Sequence, residues 1–459
     1  MCTVAPAMIR SPRHRARLPL VLLAVVSVLS LGARSALLDE PCQNPCTQAG
    51  QHTLIFDEAY YVNAARVIAG IHPPAGTHYA LSPLGSDPNA EHPQLAKLIM
   101  AGAIELFGDG PFAWRIGSLI FGSIAILGMF ALVRAAGGGR WAALGASTLM
   151  ASDNLLLVHG RIGTLDIYAV AMMIWALAHY LRGRALLAGL ALAVGAAFKL
   201  VAPYVLAVLV LIELGRIIAC ARDPGLPADW RLGAGLRRLL ITGFTATGVF
   251  LGLLGIMDLI TTPYDDAAGH LITGGPFEHV AHMIAYAAEQ VSPNGPQGIA
   301  SYPWAWLLDL KPIVYLRIDP SLPGAGMNAI TPVSKFLGVV SPPMIALAIP
   351  ALGFSLYRWL RARRRDGGPV AAGDRQLAIL GPAWFIGTWV PFALLSLIDQ
   401  RTSYLYYMVI VMPGVYVALS YMMTLAARVK RTWVTGLVAA WSLAVIAALV
   451  LMYPFVPAF

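Results

Sequence analysis

The chain has 459 residues, of which 58% are hydrophobic and only 12% charged, with a formal charge of +9 and a mean hydropathy of +0.69. That composition excludes an ordinary soluble domain and predicts a polytopic membrane protein, because runs of roughly twenty apolar residues span the hydrocarbon as helices that satisfy their own backbone. The positive charge does not signal nucleic-acid binding: the basic residues sort by membrane side and form no basic face interleaved with aromatics.

Arg10, Arg13, Arg15 and Arg17 precede the first apolar run, Leu18 to Leu38, which Arg34 interrupts. No small-residue cleavage site clearly follows, so the pattern predicts an uncleaved span with a cytoplasmic N-terminus. A polar segment runs from Asp39 to about Gly110. Further spans are expected near Pro111–Val133, Trp141–Val158, Leu165–Leu181, Leu186–Phe198, Val201–Ile218 and Leu239–Ile260. A second long polar segment, Thr261 to about Lys335, is followed by spans near Phe336–Leu360, Gln376–Ile398, Tyr404–Ala426 and Trp433–Pro454. The expectation is an all-α protein of about eleven transmembrane helices with its C-terminus outside. Most Lys and Arg, including the run Arg361, Arg363, Arg364 and Arg365, then fall in cytoplasmic segments, as the positive-inside rule requires. Both long polar segments land outside, away from nucleotide sugars and ATP.

Cys42 and Cys46 lie in the first outer segment as Cys-Gln-Asn-Pro-Cys, while Cys2 and Cys220 fall on the cytoplasmic side. A small outer disulfide is expected rather than a metal site, since no second Cys/His pair accompanies the first. Gly137-Gly138-Gly139 reads as a turn between spans, not a phosphate cradle, because no strand precedes it.

The remaining polar residues carry the functional signal. Phe56-Asp57-Glu58-Ala59-Tyr60-Tyr61 sets two adjacent carboxylates just outside the first span. It reads either as a helix N-terminus, where acids favour the dipole, or as a catalytic pair. Glu91-His92-Pro93-Gln94-Leu95-Ala96-Lys97 opens an apolar helix that fits an interfacial helix with Lys97 snorkelling; His92 and Lys97 are also placed to face a cavity at headgroup level. Arg115 lies four residues into the second span, Arg161 and Asp166 flank the next outer turn, Lys199 ends the fifth span and Arg401 starts the tenth. An ionisable group at such a position is costly and marks a functional hypothesis. Gathered at one membrane level, these cations suit a lipid phosphate. Tyr302-Pro303-Trp304-Ala305-Trp306 fits either an aromatic belt or one wall of an acceptor groove. His270, His279 and His282 imply no metal geometry.

In this order the residues resemble a family. Phe-Asp-Glu-x-x-Tyr, His-Pro-x-x-x-Lys, Trp-Arg at Trp114-Arg115, Arg-x-x-x-Leu-Asp at Arg161–Asp166, Phe198-Lys199, Ser301–Trp306 and Arg401 before Tyr404-Leu405-Tyr406-Tyr407 look like the dolichyl/polyprenyl-phosphate-mannose–protein mannosyltransferases. These belong to the GT-C superfamily of membrane glycosyltransferases. The resemblance runs from about Phe56 to Tyr407. Gln94 departs from the family's usual Pro, Tyr406-Tyr407-Met408 departs from Tyr-His-Tyr, and the second outer segment is too short for the β-trefoil domain of eukaryotic relatives. The chain thus looks like a compact prokaryotic member, acting in the plasma membrane. The implied division is a cytoplasmic segment 1–17, a catalytic transmembrane domain 18–426 with external loops 39–110 and 261–335, and a last span with an external C-terminus, 427–459.

The resemblance implies an inverting transfer of a sugar, mannose by analogy, from a polyprenyl-phosphate donor to Ser/Thr hydroxyls of exported proteins, with no cofactor or metal. Asp57 is the expected general base and Glu58 its support. Arg115, Arg161, Lys199 and Arg401 are the expected phosphate ligands, with His92, Lys97 and Asp166 supporting. Asp166 is expected to orient Arg161 or the catalytic loop. Tyr302, Trp304 and Trp306 are the expected acceptor wall. A glycolipid or cell-wall glycan acceptor is the first alternative. A transporter or lipid-binding protein is the second, although neither broken helices nor inverted repeats are evident.

Overall fold

A computed structural model describes residues 12–42, 51–317, 335–362 and 369–454. Its helices in chain order are α1 (Pro12–Ser35), α2 (Glu58–Ile68), α3 (Leu95–Phe107), α4 (Pro111–Ala135), α5 (Arg140–Ser152), α6 (Asn154–His159), α7 (Asp166–Leu181) and α8 (Ala185–Phe198). There follow α9 (Tyr204–Arg222), α10 (Leu232–Ile260), α11 (Pro276–Glu289), α12 (Pro303–Trp306), α13 (Pro342–Arg361), α14 (Pro369–Ile398), α15 (Met408–Ala426) and α16 (Thr432–Leu451). Two small antiparallel pairs, β1 (Tyr264–Asp265) with β2 (His270–Leu271) and β3 (Ile313–Arg317) with β4 (Lys335–Gly338), belong to the second polar segment.

Among the described residues, eight helices are long and apolar enough to cross a membrane. The other three expected spans hold shorter helices, α5, α7 and α8. The 14 residues of α8 rise about 21 Å, less than the roughly 30 Å of a hydrocarbon core. Two span boundaries need correction. The run Trp141–Val158 is not one helix: Asp153 takes extended backbone angles and accepts Leu155 N–H (3.2 Å) and Ser341 N–H (3.0 Å), capping α6 and ending α5. Phe336 belongs to β4, and α13 begins only at Pro342, whose ring suits a first helical turn.

α15 lies at the centre, with 78% of its apolar window buried, whereas α16 is peripheral at 11%. α14 meets α15 backbone to backbone at Gly381 and Gly414, where a Cβ on Gly414 would come within 2.8 Å of the Gly381 carbonyl oxygen.

The two long polar segments are stitched together. Tyr264 N–H donates to the Asp87 carbonyl (2.8 Å) and Asp87 N–H to Thr262 (3.0 Å). Ser82 bonds Asp266 (2.7 Å) and Gln94 bonds Asp258 (2.8 Å). His279 joins this seam, within 2.8 Å of Asp258 and 3.0 Å of the Ala90 carbonyl. Cys42 is disulfide-bonded; Cys46 lies outside the described residues.

Candidate active site

The loop entering α2 turns sharply. Phe56 has φ of 54°, a region that bulky side chains rarely occupy and that costs about 1–3 kcal/mol. Its ring is held by stacking on Tyr315 (4.1 Å between centroids) and by an edge contact with Tyr406 (5.4 Å). Asp57 follows at the N-cap of α2, where its carbonyl accepts Tyr60 and Tyr61 N–H. Its carboxylate makes no cap hydrogen bond, and it has no hydrogen-bond or ion-pair partner among the described residues. Burial pushes this carboxyl up to about 7, with Lys199 drawing it back and Asp166 adding to the rise.

Glu58 does the opposite. Fully buried, it takes Arg115 in a bidentate pair (Nε to Oε1 and Nη2 to Oε2, each 2.8 Å). It also accepts Ile55 N–H (2.8 Å) and Gly163 N–H (2.7 Å). Glu58 therefore anchors the start of α2 to α4 and to the turn before α7, and fixes the residue beside it.

Lys199, whose charge acts on Asp57, lines a cavity of about 560 Å³ together with Glu91, His92, Leu200, Val201, Tyr204, Met283, Phe392, Leu395, Asp399, Arg401 and Tyr407 among others; Asp57 itself is not among the lining residues. The size of this cavity is that of a ligand site. Lys199 sits between Asp166 (Nζ to Oδ1, 2.7 Å) and the rings of Tyr406 and Tyr407 (5.5 and 5.8 Å). Arg401 donates to the Ala287 carbonyl and has no carboxylate partner among the described residues. Burial, together with Lys199, Lys97 and Arg401, holds His92 well below its usual range, so it is neutral. Lys199 and Arg401 face apolar walls that suit an anion carrying an apolar tail, with the carboxyl groups of Glu91 and Asp399 also in the lining.

Several expected site residues lie elsewhere. Arg115 points away from the cavity, since Glu58 and the Glu40 carbonyl (3.0 Å) occupy its guanidinium. Arg161 is buried, donating to the carbonyls of Ala36 (2.8 Å) and Leu37 (3.1 Å) at the end of α1 and lying 5.6 Å from the Phe336 ring. Asp166 orients Lys199, not Arg161. Lys97 does not snorkel: it is buried, 2.6 Å from Asp87, and bonds the Asn89 and His92 carbonyls, shaping the loop that carries His92. Trp306 is no groove wall but core, its indole N–H on Ser301 (2.9 Å) and its ring against Phe392 and Tyr407. Tyr302 and Trp304 do form an exposed stacked pair, 4.4 Å between centroids.

With this geometry in view, a profile of the family described as dolichyl-phosphate-mannose-protein mannosyltransferase matches residues 91–219. A polyprenol-phosphate-mannose–protein mannosyltransferase of Corynebacterium glutamicum is 34% identical over 152 residues, covering 32% of this chain and 27% of that protein. A protein of the same name from Mycolicibacterium smegmatis is 23% identical over 76% of this chain and 74% of its own length. In fold, the Saccharomyces cerevisiae protein O-mannosyltransferase Pmt1-Pmt2 complex, solved with its sugar donor, aligns at a TM-score of 0.70 and 12% identity, over 98% of this chain and 90% of that one. Over part of its length the chain is similar to the protein mannosyltransferases. The oligosaccharyltransferase of Archaeoglobus fulgidus aligns with the same fold at a TM-score of 0.53 and 14% identity, over 98% of this chain and 57% of that one.

The stretch matched by the family profile contains His92 and Lys199 but reaches neither Asp57 nor Arg401. His159, outside every motif quoted above, ends α6 and touches Tyr315 Oη (2.8 Å) and Thr164 Oγ1 (3.3 Å), with Asp166 Oδ2 3.8 Å away. An ionisable side chain beside Arg161 in an apolar run was the available signal. Tyr204 and Tyr315 carry no such signal, because aromatics at a membrane boundary are ordinary.

Proposed function

We propose that the chain is an inverting glycosyltransferase that moves mannose from a polyprenyl-phosphate donor to Ser/Thr hydroxyls of exported proteins, on the membrane face opposite its arginine clusters. The observation that carries this reading is the contrast between Asp57, whose carboxylate has no partner among the described residues, and Glu58, whose carboxylate accepts four hydrogen bonds. A positioning acid needs contacts; a base needs an open lone pair and a raised pKa.

In this mechanism the acceptor oxygen attacks the anomeric carbon while Asp57 takes its proton. The bond from that carbon to the phosphate oxygen breaks, and the polyprenyl phosphate leaves with the electron pair. Lys199 and Arg401 face the charge that develops on it. Asp166 holds Lys199 from behind. The polyprenyl tail lies along Leu200, Val201, Phe392 and Leu395 and leaves the cavity toward lipid. The acceptor approaches along the outer segments, where the Tyr302–Trp304 pair offers a ring face. The test is mass spectrometry of exported proteins and of glycolipids from cells with and without the chain. Hexose lost from Ser/Thr peptides alone supports the reading, whereas hexose lost only from lipid or glycan moves the acceptor.

The same assignment fixes a pH dependence. The reactive form of Asp57 is the anion, so transfer is lost as pH falls through its pKa near 7. Between pH 8 and pH 6, kcat/KM is expected to drop about tenfold. A flat profile across that interval excludes Asp57 as the titrating base.

A further inference from the structure

The position of Asp57 depends on Phe56, and what holds Phe56 comes from distant parts of the chain. A bulky residue at φ of 54° keeps that backbone only while its surroundings over-determine it. α2 does not supply the restraint through Asp57, whose side chain makes no cap bond. Two rings supply it instead: Tyr315 of β3, stacked on Phe56 at 4.1 Å, and Tyr406, edge-on at 5.4 Å.

Both rings rest on one buried imidazole. The Tyr315 hydroxyl lies 2.8 Å from His159 Nε2, and the His159 ring overlies Tyr406 at 5.9 Å with 25° between the planes. The second ring nitrogen fixes the direction of the hydrogen bond. Nδ1 faces Thr164 Oγ1 (3.3 Å) and Asp166 Oδ2 (3.8 Å), and that carboxylate oxygen has no hydrogen-bond partner among the described residues. Acceptors on that side place the proton on Nδ1, so Nε2 offers a lone pair and the Tyr315 hydroxyl donates to it. On its other side Tyr315 is confined by β4, where a Cβ on Gly338 would collide with the ring. A tyrosine pinned by its hydroxyl and by β4 cannot slide over the ring it stacks on.

We infer that His159 and Tyr315 are positioning residues: the hydrogen bond between them holds the aromatic clamp that keeps Phe56 in the left-handed region, and so sets where the Asp57 carboxylate sits. The consequence for sugar transfer rests on Asp57 being the base; the clamp itself does not.

Two measurements on the full chain in detergent separate these. One is hydrogen exchange of the backbone amides of residues 57–61, read by mass spectrometry; the other is steady-state transfer from the polyprenyl-phosphate sugar. Tyr315→Phe keeps the stacked ring and removes only the hydroxyl. Exchange is expected to quicken by up to about tenfold, the scale of one net hydrogen bond. kcat is expected to fall by about tenfold with the donor KM unchanged, since Lys199 and Arg401 are untouched. His159→Leu is expected to act in the same way, and His159→Gln, whose amide oxygen can accept the Tyr315 hydroxyl, to recover part of both effects. In a Phe56→Gly background, where the backbone needs no clamp, adding Tyr315→Phe is expected to change neither quantity further. Parental exchange in Tyr315→Phe overturns the inference whatever the transfer rate. A lowered melting temperature with kcat unchanged also overturns it, because the hydrogen bond then serves the fold alone. Near-parental transfer by Asp57→Asn, beside quickened exchange in Tyr315→Phe, removes the base and leaves the clamp standing.

Discussion

Asp57→Asn is expected to lower sugar transfer by on the order of a hundredfold or more, equivalent to at least about 2.7 kcal/mol on the barrier, while donor binding stays nearly intact. The amide has the size of the carboxylate but cannot take up the acceptor proton. The substitution is also structurally mild, because the Asp57 side chain makes no cap bond to α2 and no ion pair among the described residues. Single-turnover transfer and equilibrium binding of the polyprenyl-phosphate sugar separate the outcomes. Transfer near the parental rate removes Asp57 from the chemistry. An equal loss of binding and turnover reassigns it to holding the donor.

The second large effect concerns the neighbouring carboxylate and is of a different kind. Arg115→Ala leaves Glu58 buried and without its charge partner, and Glu58→Gln leaves Arg115 in the same condition. Breaking a buried pair in this way typically costs about 3–5 kcal/mol, a large fraction of the roughly 5–15 kcal/mol that holds a folded domain. Both variants are therefore expected to melt well below the parent in detergent, and the activity of the surviving folded fraction is expected to fall because α2 no longer fixes Asp57. Were Arg115 a phosphate ligand, Arg115→Ala would melt normally and lose donor affinity alone. Thermal melting beside a donor-binding assay distinguishes the two.

These two residues show what the sequence made legible. The acidic pair stood out because charge is rare in this chain, and the helices followed from apolar runs of known length. The ordered motif set carried the resemblance to the protein mannosyltransferases. The direction in which a charged side chain points was not legible. Arg115, four residues into a span, has the composition of a phosphate ligand, and its pairing with Glu58 is made between residues 57 apart in the chain. Lys97 sits where a snorkelling residue would, yet Asp87 and the loop carbonyls draw it inward. Lys199 and Arg401 were placed at the same membrane level by the same reasoning, and these two do line the cavity. Neither the break at Asp153 nor the closing of the cavity by α11 has a local signature, since each depends on segments distant in the chain.

The seam between the two outer segments has a consequence for biogenesis. The stretch that carries His92 is fastened by Thr262, Tyr264, Asp258 and His279, all of which leave the ribosome well after it. Until α10 has been inserted and the second segment delivered to the same face, the first segment lacks the partners that shape it. Contacts of such long range form late, and Arg401 and Tyr407 arrive later still. A nascent chain holding only the first seven long or short apolar helices thus already contains Asp57, Glu58 and Arg115 but no cavity. The cavity is therefore completed only after the second outer segment and Tyr407 have been made, so a partly made molecule carries the acidic pair without it.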